Sequence, residues 1–269
     1  MLDLIRNLPD RARVLDLGAG TGSFPSERPG LRVVRLDLER PHSLGDGAYV
    51  LADAARMPFR TASFDLIVSN HSLEHFVELK ATLREIGRVI KPDGVLYVSV
   101  PDASTLSDRI YRWLGRGGGH VNPFRSPGEV AAMVTTLTAL PLRSTTVLFS
   151  SLAFLNRHNF VTRPPRRIAL FAFGNEIFLT IAIWMLRGLD RRCGTRLSHY
   201  GWSFRFGNVA GSTEEPWVNV CVRCGAGHSE LYLRKHVAFR RALGLVPAYR
   251  CPACGGFNFL TREFPTPPA

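Results

Sequence analysis

Over its first hundred residues the chain alternates short apolar runs with polar, glycine-containing breaks. ARVLDLGAGTG (12–22) carries an apolar strand into a turn with Gly18, Gly20 and Gly22, and LRVVRLDLER (31–40) is a second strand ending at Asp37. YVLADAARMPF (49–59) is a third segment and bears Asp53; FDLIVSN (64–70) is a fourth, buried from Phe64 to about Ser69. Runs this short and this continuously apolar fit strands covered on both faces. VELKATLREIGRVI (77–90) changes period, with Leu79, Leu83, Ile86 and Ile90 at helical spacing, and predicts an amphipathic helix. KPDG (91–94) predicts a turn and VLYVSV (95–100) a fifth strand. Strands and helices alternating in this way predict an α/β fold with a doubly wound, mostly parallel sheet and a ligand at the C-terminal strand ends.

The second half reads differently. SPGEVAAMVTTL (126–137) opens as a capped helix, LRSTTVLFSSLAFL (142–155) is a β-branched strand, and GWSFRFGNV (201–209) alternates as a strand should. They predict strands six and seven, an antiparallel edge pair, with residues 155–200 inserted between them as a helical cover. The apolar stretch 168–186 approaches spanning length, but Gly174, Asn175 and Glu176 at its middle exclude a single membrane span. Two packed helical pieces over the active site, or an apolar hairpin touching a membrane face, remain. The expected domains are 1–211, including the insertion, and 212–269.

Charge sharpens the division. Residues 1–140 hold 17 Lys+Arg against 16 Asp+Glu, whereas 141–269 hold 17 against 6. The basic half favours an anionic partner, either a membrane surface or nucleic acid. Arg163, Arg166 and Arg167 before the insertion's apolar core, and Arg187, Arg191 and Arg192 after it, suit an anionic interface. Few aromatics interleave with the basic residues near the C-terminus, so single-strand stacking has little support. The charged Asp3 and Arg6 do not fit a signal peptide, so a cytoplasmic protein is expected, peripheral at the inner membrane face if the insertion touches lipid.

Candidate chemistry falls in three places. The glycine turn after the first strand lets a ligand approach closer than a Cβ would permit, and Asp37 is placed for ribose hydroxyls. NHSLEH (70–75) puts His71, Glu74 and His75 on one face if a helix begins there, with His120 of GGGHVNPF able to join them from a loop. The open readings are a metal site, a general base at His71 or His120, or a packed helix start. Four of five cysteines form CVRCG (221–225) and CPACGG (251–256), each CxxC followed by glycine as in a metal knuckle, and a structural Zn²⁺ on Cys221, Cys224, Cys251 and Cys254 is expected. Cys193 is read as incidental, His228 and His236 as bystanders.

VLDLGAGTG, LDLER, ADAARMPF, FDLIVSNHSLEHF and LREIGRVIKPDGVLYVSVP, in that order over residues 12–101, resemble the successive motifs of class I S-adenosylmethionine-dependent methyltransferases of the ubiquinone/menaquinone-methylase type. The resemblance implies a Rossmann-like seven-stranded sheet and S-adenosylmethionine as cofactor. It implies that Asp16 and the turn Gly18, Ala19, Gly20 hold the methionine part and that Asp37 grips the ribose. Leu38 would flank the adenine, Asp53 and Ala54 would meet its amino edge, and Asn70 and His71 would line the site. Relatives with a Glu-x-x-Glu-His arrangement at the NHSLEH position bind a divalent metal. Two features depart from the family: Pro25 and Pro29 predict that the first helix is a stub, and only thirteen residues precede Val14. The expected acceptor is a small molecule or a lipid- or glycan-pathway intermediate. An RNA methyltransferase and a non-catalytic cofactor-binding regulator are the other readings.

Overall fold

The computed structural model describes residues 1–24, 30–41, 48–114, 119–159, 174–208, 217–242 and 244–262. The expected helical stub lies largely outside the described residues, as do Arg163, Arg166, Arg167 and the start of the apolar stretch. Seven strands form one sheet: β1 (Arg13–Leu17), β2 (Arg32–Asp37), β3 (Ala48–Leu51), β4 (Phe64–Asn70), β5 (Ile90–Pro101), β6 (Leu142–Phe149) and β7 (His199–Gly207). Their order is β3-β2-β1-β4-β5-β7-β6. β1 pairs in parallel with both β2 and β4, β2 with β3, and β4 with β5. The sheet is Rossmann-like and mostly parallel, with an antiparallel pair. Chain order reverses between β1 and β4, and in open α/β sheets that reversal opens a crevice at the C-terminal strand ends.

The chain packs as two compact units. The first comprises Met1–Pro101, Gly119–Thr146 and Trp202–Glu214; the second comprises Asp102–Gly118, Val147–Gly201 and Glu215–Ala269. In the first, Val14, Leu15, Leu17, Leu66, Ile67 and Val68 are fully buried, so β1 and β4 are its centre. A short helix that the sequence reading did not anticipate, α1 (Leu2–Arg6), sends Leu4 and Ile5 into the cluster formed by Val14, Val33, Leu66 and Tyr97. Asp3 of α1 makes a bidentate pair with Arg205 of β7, at 2.9 and 3.0 Å. The predicted amphipathic helix is α2 (Leu79–Val89), with Leu79, Leu83, Ile86 and Val89 buried. KPDG is not a separate turn. β5 begins at Ile90 and runs through it, and a register shift between Phe64 and Leu66 of β4 absorbs the irregularity. Two further helices follow, α3 (Leu106–Leu114) in the second unit and α4 (Pro127–Thr138) in the first. Ser126 caps α4 by accepting from the Glu129 amide, with proline in the first turn.

In the second unit, α5 (Glu176–Cys193) starts at Asn175, whose side chain accepts from the Ile177 amide, and ends at Gly194 in the left-handed region. Leu179 and Ile183 pack with Leu152 and Val222. The C-terminal segment adds the two-stranded β8 (Asn219–Val220) and β9 (Gly227–His228), helix α6 (Glu230–His236), and the three-stranded β10 (Arg240–Ala242), β11 (Val246–Arg250) and β12 (Phe257–Phe259). Among the described residues no helix is long and apolar enough to cross a membrane.

Candidate active site and cysteine centre

The turn after β1 is held by its own backbone. The amides of Gly18 and Ala19 donate to Leu36 O at 2.8 and 3.1 Å, and the Gly22 amide to Ala19 O at 2.7 Å. Gly18 and Gly20 sit at φ +67° and +49°, a region costly for residues with a Cβ. The two differ in surroundings. A Cβ on Gly18 would lie 2.5 Å from Ser72 Cβ, whereas one on Gly20 would meet nothing within 4 Å. Gly18 therefore lets β1 and the segment after β4 close together, and Gly20 borders open space.

Asp37, at the end of β2, accepts from the Gly20 amide at 2.7 Å through Oδ2 and from the Glu39 amide at 3.3 Å through Oδ1. The glycine turn and the second-strand acid thus meet. Asp16 is fully buried beneath them and accepts from the Ser23 amide at 2.9 Å. Burial raises its carboxyl above the usual range despite that bond and the nearby Arg35. Leu38 is 68% exposed. Asp53 Oδ1 accepts from the Ala55 amide at 2.9 Å and Ala54 is buried. Asn70 Oδ1 accepts from Ser99 Oγ at 2.7 Å. Two residues the sequence reading passed over support this group. Ser72 Oγ donates to Leu17 O at 2.9 Å, tying the segment after β4 to the end of β1. Arg35, in register with Asp16, is almost wholly buried with its Nε 3.8 Å from the Asp16 carboxylate. Arg35 alternates into an apolar strand, and an arginine inside a buried strand was the available signal.

His71 occupies the left-handed region, φ +54°, with its amide donating to Ser99 O at 3.0 Å. Such a conformation in a side-chain-bearing residue is strained and clusters at functional sites. The expected helix after it is a single 3-10 turn, Leu73–His75, so His71, Glu74 and His75 are gathered by that turn and not by an α-helical face. The segment 119–122 clamps onto the turn: the Val121 and Asn122 amides donate to Glu74 O, and the Asn122 side chain donates to Leu73 O and Phe76 O. Asn122, also unanticipated, thereby seats His120 against His75, ring centroids 4.9 Å apart. Donor atoms of Glu74, His75 and His120 lie within 4.8 Å of one another, and His71 Nδ1 lies 4.0 Å from Glu74 Oε1. Burial, with His120 and His75 beside it, holds the His71 imidazole down at about 4.

The four paired cysteines converge in the second unit, their sulfurs all within 4.8 Å. Cys221 and Cys254 are 3.6 Å apart, Cys224 and Cys251 3.8 Å. A tetrahedral zinc with Zn–S near ~2.3 Å has sulfur–sulfur edges of roughly 3.8 Å, so the thiolates fit that ion. The two knuckles repeat one geometry: the Gly225 amide donates to Cys221 O, and the Gly255 amide to Cys251 O. Burial pushes the Cys224 and Cys251 thiols up. Burial acts the same way on Cys221, but amide hydrogen bonds from Cys224 and Arg223 together with Asn258 outweigh it and hold that thiol below its usual value. His228, expected to be a bystander, places Nε2 3.5 Å from Cys251 Sγ. Cys193 is exposed.

A family profile described as a methyltransferase domain matches residues 15–98. A malonyl-(acyl-carrier protein) O-methyltransferase of Methylococcus capsulatus is 34% identical over 142 residues, 47% of this chain and 51% of that protein. A ubiquinone biosynthesis O-methyltransferase of Xanthomonas oryzae pv. oryzae is 34% identical over 144 residues, 45% of this chain and 59% of that one. The chain thus spans about half the length of these curated relatives. A solved structure from Bacillus halodurans, described as a methyltransferase, shares the fold at TM-score 0.53 and 18% identity, covering 77% of this chain and 96% of that one.

Proposed function

We propose that this chain, whose residues 15–98 match a methyltransferase domain, is a class I S-adenosylmethionine-dependent methyltransferase that transfers the cofactor's methyl group to a nucleophile of a small-molecule or lipid-linked acceptor. One observation carries the reading: the open space at Gly20 lies where the turn after β1 meets the Asp37 carboxylate, beside the reversal in strand order. Asp16, Gly18, Ala19 and Gly20 would hold the amino-acid end, Asp37 the ribose, and Leu38, Asp53 and Ala54 the adenine. Asn70 and His71 would close the site after β4. The relatives' names, malonyl-(acyl-carrier protein) and ubiquinone O-methylation, favour an oxygen on an acyl or lipid-pathway acceptor.

Bound S-adenosylmethionine supplies an electrophilic methyl whose transfer returns an electron pair to sulfur. The protein's part is chiefly to align the acceptor with that methyl. His71 or His120 would take the proton from an acceptor hydroxyl as the new bond forms, burial making His71 a weaker base than an ordinary imidazole. A second reading of the same group rests on the convergence of Glu74, His75 and His120. Mixed imidazole and carboxylate donors suit a first-row divalent cation such as Zn²⁺ or Mn²⁺. Separately, the four cysteines would hold a structural Zn²⁺, which would supply folding energy to a short segment.

Calorimetry with S-adenosylhomocysteine, followed by labelled methyl transfer to fractionated lipids, small metabolites and RNA, tests the proposal. Absence of cofactor uptake by folded protein would remove it. Cofactor binding without any methylated fraction would favour a regulator. RNA labelling whose binding falls steeply with salt would favour the nucleic-acid reading.

A further inference from the structure

Helix α5 is amphipathic in the reverse of the usual sense. Its buried positions are Leu179, Thr180, Ile183, Arg187 and Asp190, so polar and charged groups share the inward face. Every exposed position from Ile177 to Leu189 is apolar or glycine. The outward side chains are large: Ile177 is 59% exposed, Phe178 43%, Ile181 39%, Trp184 39%, Met185 51% and Leu189 46%. Together they present on the order of 500 Å² of apolar surface in one stripe, within the size range of a monomer's largest patch, which is often an interaction site. A helix serving only to pack its own unit would turn this side inward.

Both ends of the stripe are basic. Arg191 and Arg192 follow it in the last turn. At the other end Ile177 and Ile181 form part of the wall of a cavity of about 800 Å³ that Arg157, Arg223 and Arg250 also line. Arg223 is paired with Glu176 at 2.6 Å, which leaves the cavity's charge balance positive. The helix belongs to a half of the sequence that carries 17 basic against 6 acidic residues. An apolar stripe with a tryptophan, flanked by arginines and too short in its apolar run to span, is the chemistry of a helix lying in an anionic lipid interface.

We propose that α5 docks the protein on the surface of an anionic bilayer, its outward face entering the acyl boundary and the arginine-lined cavity receiving a lipid phosphate. This goes beyond methyl transfer and stands whether or not the acceptor is a lipid. The full chain, zinc-loaded, would be floated with phosphatidylcholine vesicles containing about 30 mol% phosphatidylglycerol and with pure phosphatidylcholine vesicles. The expected result is flotation with the anionic vesicles only, weakened by salt. Phe178→Asp with Met185→Asp should reduce vesicle partitioning by at least ~30-fold. The melting temperature and zinc content of the variant are measured alongside, and loss of flotation counts only where both hold. Arg157→Gln and Arg250→Gln should each cost about fivefold in anionic preference. Failure of the parent protein to float would overturn the proposal, as would flotation that the double Asp variant retains. A concentration-dependent dimer, abolished by the Asp pair and unaccompanied by flotation, would assign the stripe to a second copy instead. Inorganic phosphate that competes for the arginines without vesicles, while flotation is absent, would restrict the cavity to a free anion and remove the membrane.

Discussion

Replacing Gly20 by alanine should separate ligand recognition from folding. At φ +49° the new Cβ incurs left-handed strain of about 1 kcal/mol, and it meets no protein atom within 4 Å. For a chain of this size that is a melting shift of roughly 2–4 °C. If the open space is the cofactor's, the same Cβ blocks the close backbone approach, and affinity for S-adenosylhomocysteine should fall ~100-fold. Gly18→Ala should behave oppositely. The Cβ would sit 2.5 Å from Ser72 Cβ, and Ser72 is fixed by bonds to Leu17 O at 2.9 Å and to Ser69 Oγ at 2.6 Å. Strain, overpacking and a displaced hydrogen bond combine to about 3–5 kcal/mol, a melting loss on the order of 10 °C. Gly194→Ala is the control: also left-handed, at φ +65°, and also without neighbours within 4 Å, but at the end of α5. It should match Gly20→Ala in stability and leave affinity untouched. Thermal melts and calorimetry on the three variants decide the matter. If Gly20→Ala binds within about threefold of the parent, the crevice has been misplaced.

His71 has a folded value near 4 against 6.5 for a free imidazole, so between those values the unfolded chain takes up the proton first. Its contribution to stability is full above pH 6.5 and is lost as pH falls toward 4, so the difference in melting temperature between the parent and His71→Asn should be constant above pH 6.5 and move in the variant's favour across that window. If His71 is the base, His71→Asn should lower kcat by ~10²-fold or more, well beyond any change in cofactor affinity. Cys221→Ser with Cys224→Ser should take metal content from about one zinc per chain to none, and a strong chelator should reproduce the loss of structure seen by circular dichroism. Asp3→Ala removes the bidentate carboxylate from the buried Arg205 guanidinium and should cost about 1–2 kcal/mol in denaturant unfolding, discounted for the partial exposure of Asp3. Asp3→Leu with Arg205→Met should recover much of it.

The parallel half of the sheet was legible because each of β1, β2, β4 and β5 is an apolar run closed by a glycine or a polar residue, the pattern of ladders buried on both faces. The glycine turn and Asp37 were legible for the same reason, since residue type at a strand end dictates what the backbone can approach. Gathering His120 with His75 was a guess about a loop, and the clamp that does it, Asn122 to the carbonyls of Leu73 and Phe76, depends on side-chain amide bonds that no period encodes. Helix α3 and the strands β8 to β12 went unread because two- to five-residue strands and a nine-residue helix fall below the length at which periodicity speaks. For the C-terminal segment the spacing of its two cysteine pairs was the signal the sequence offered.

The stretch 168–186 shows a different limit. Glu176 sits near the centre of that apolar run and argued against a span. The structure places it at the start of α5, where it pairs with Arg223. Period in a sequence reports that a helix has two faces, and the apolar one is ordinarily assigned to the interior. Here the assignment reverses with most of the inward polar atoms satisfied, Arg187 Nε being a buried exception. Arg187 donates to Ser150 O at 3.1 Å. Asp190 accepts from Ser198 N and Oγ, Leu197 N and Thr195 Oγ1 at 2.6–2.7 Å. Four such bonds to a carboxylate remove the penalty that would otherwise exclude it from the interior, and they hold Asp190 below the usual carboxylate range against its burial. Once Arg187 and Asp190 are fixed inward, helical geometry leaves Phe178, Ile181, Trp184, Met185 and Leu189 no inward position. Their exposure follows from the polar network and would persist in any variant that keeps it. Asp190→Leu tests that chain of cause: it should loosen the α5–β7 connection and lower the melting temperature while leaving the outward stripe's sequence intact. A variant that gained stability and lost vesicle binding together would show that the helix can rotate and that the network does not set its face.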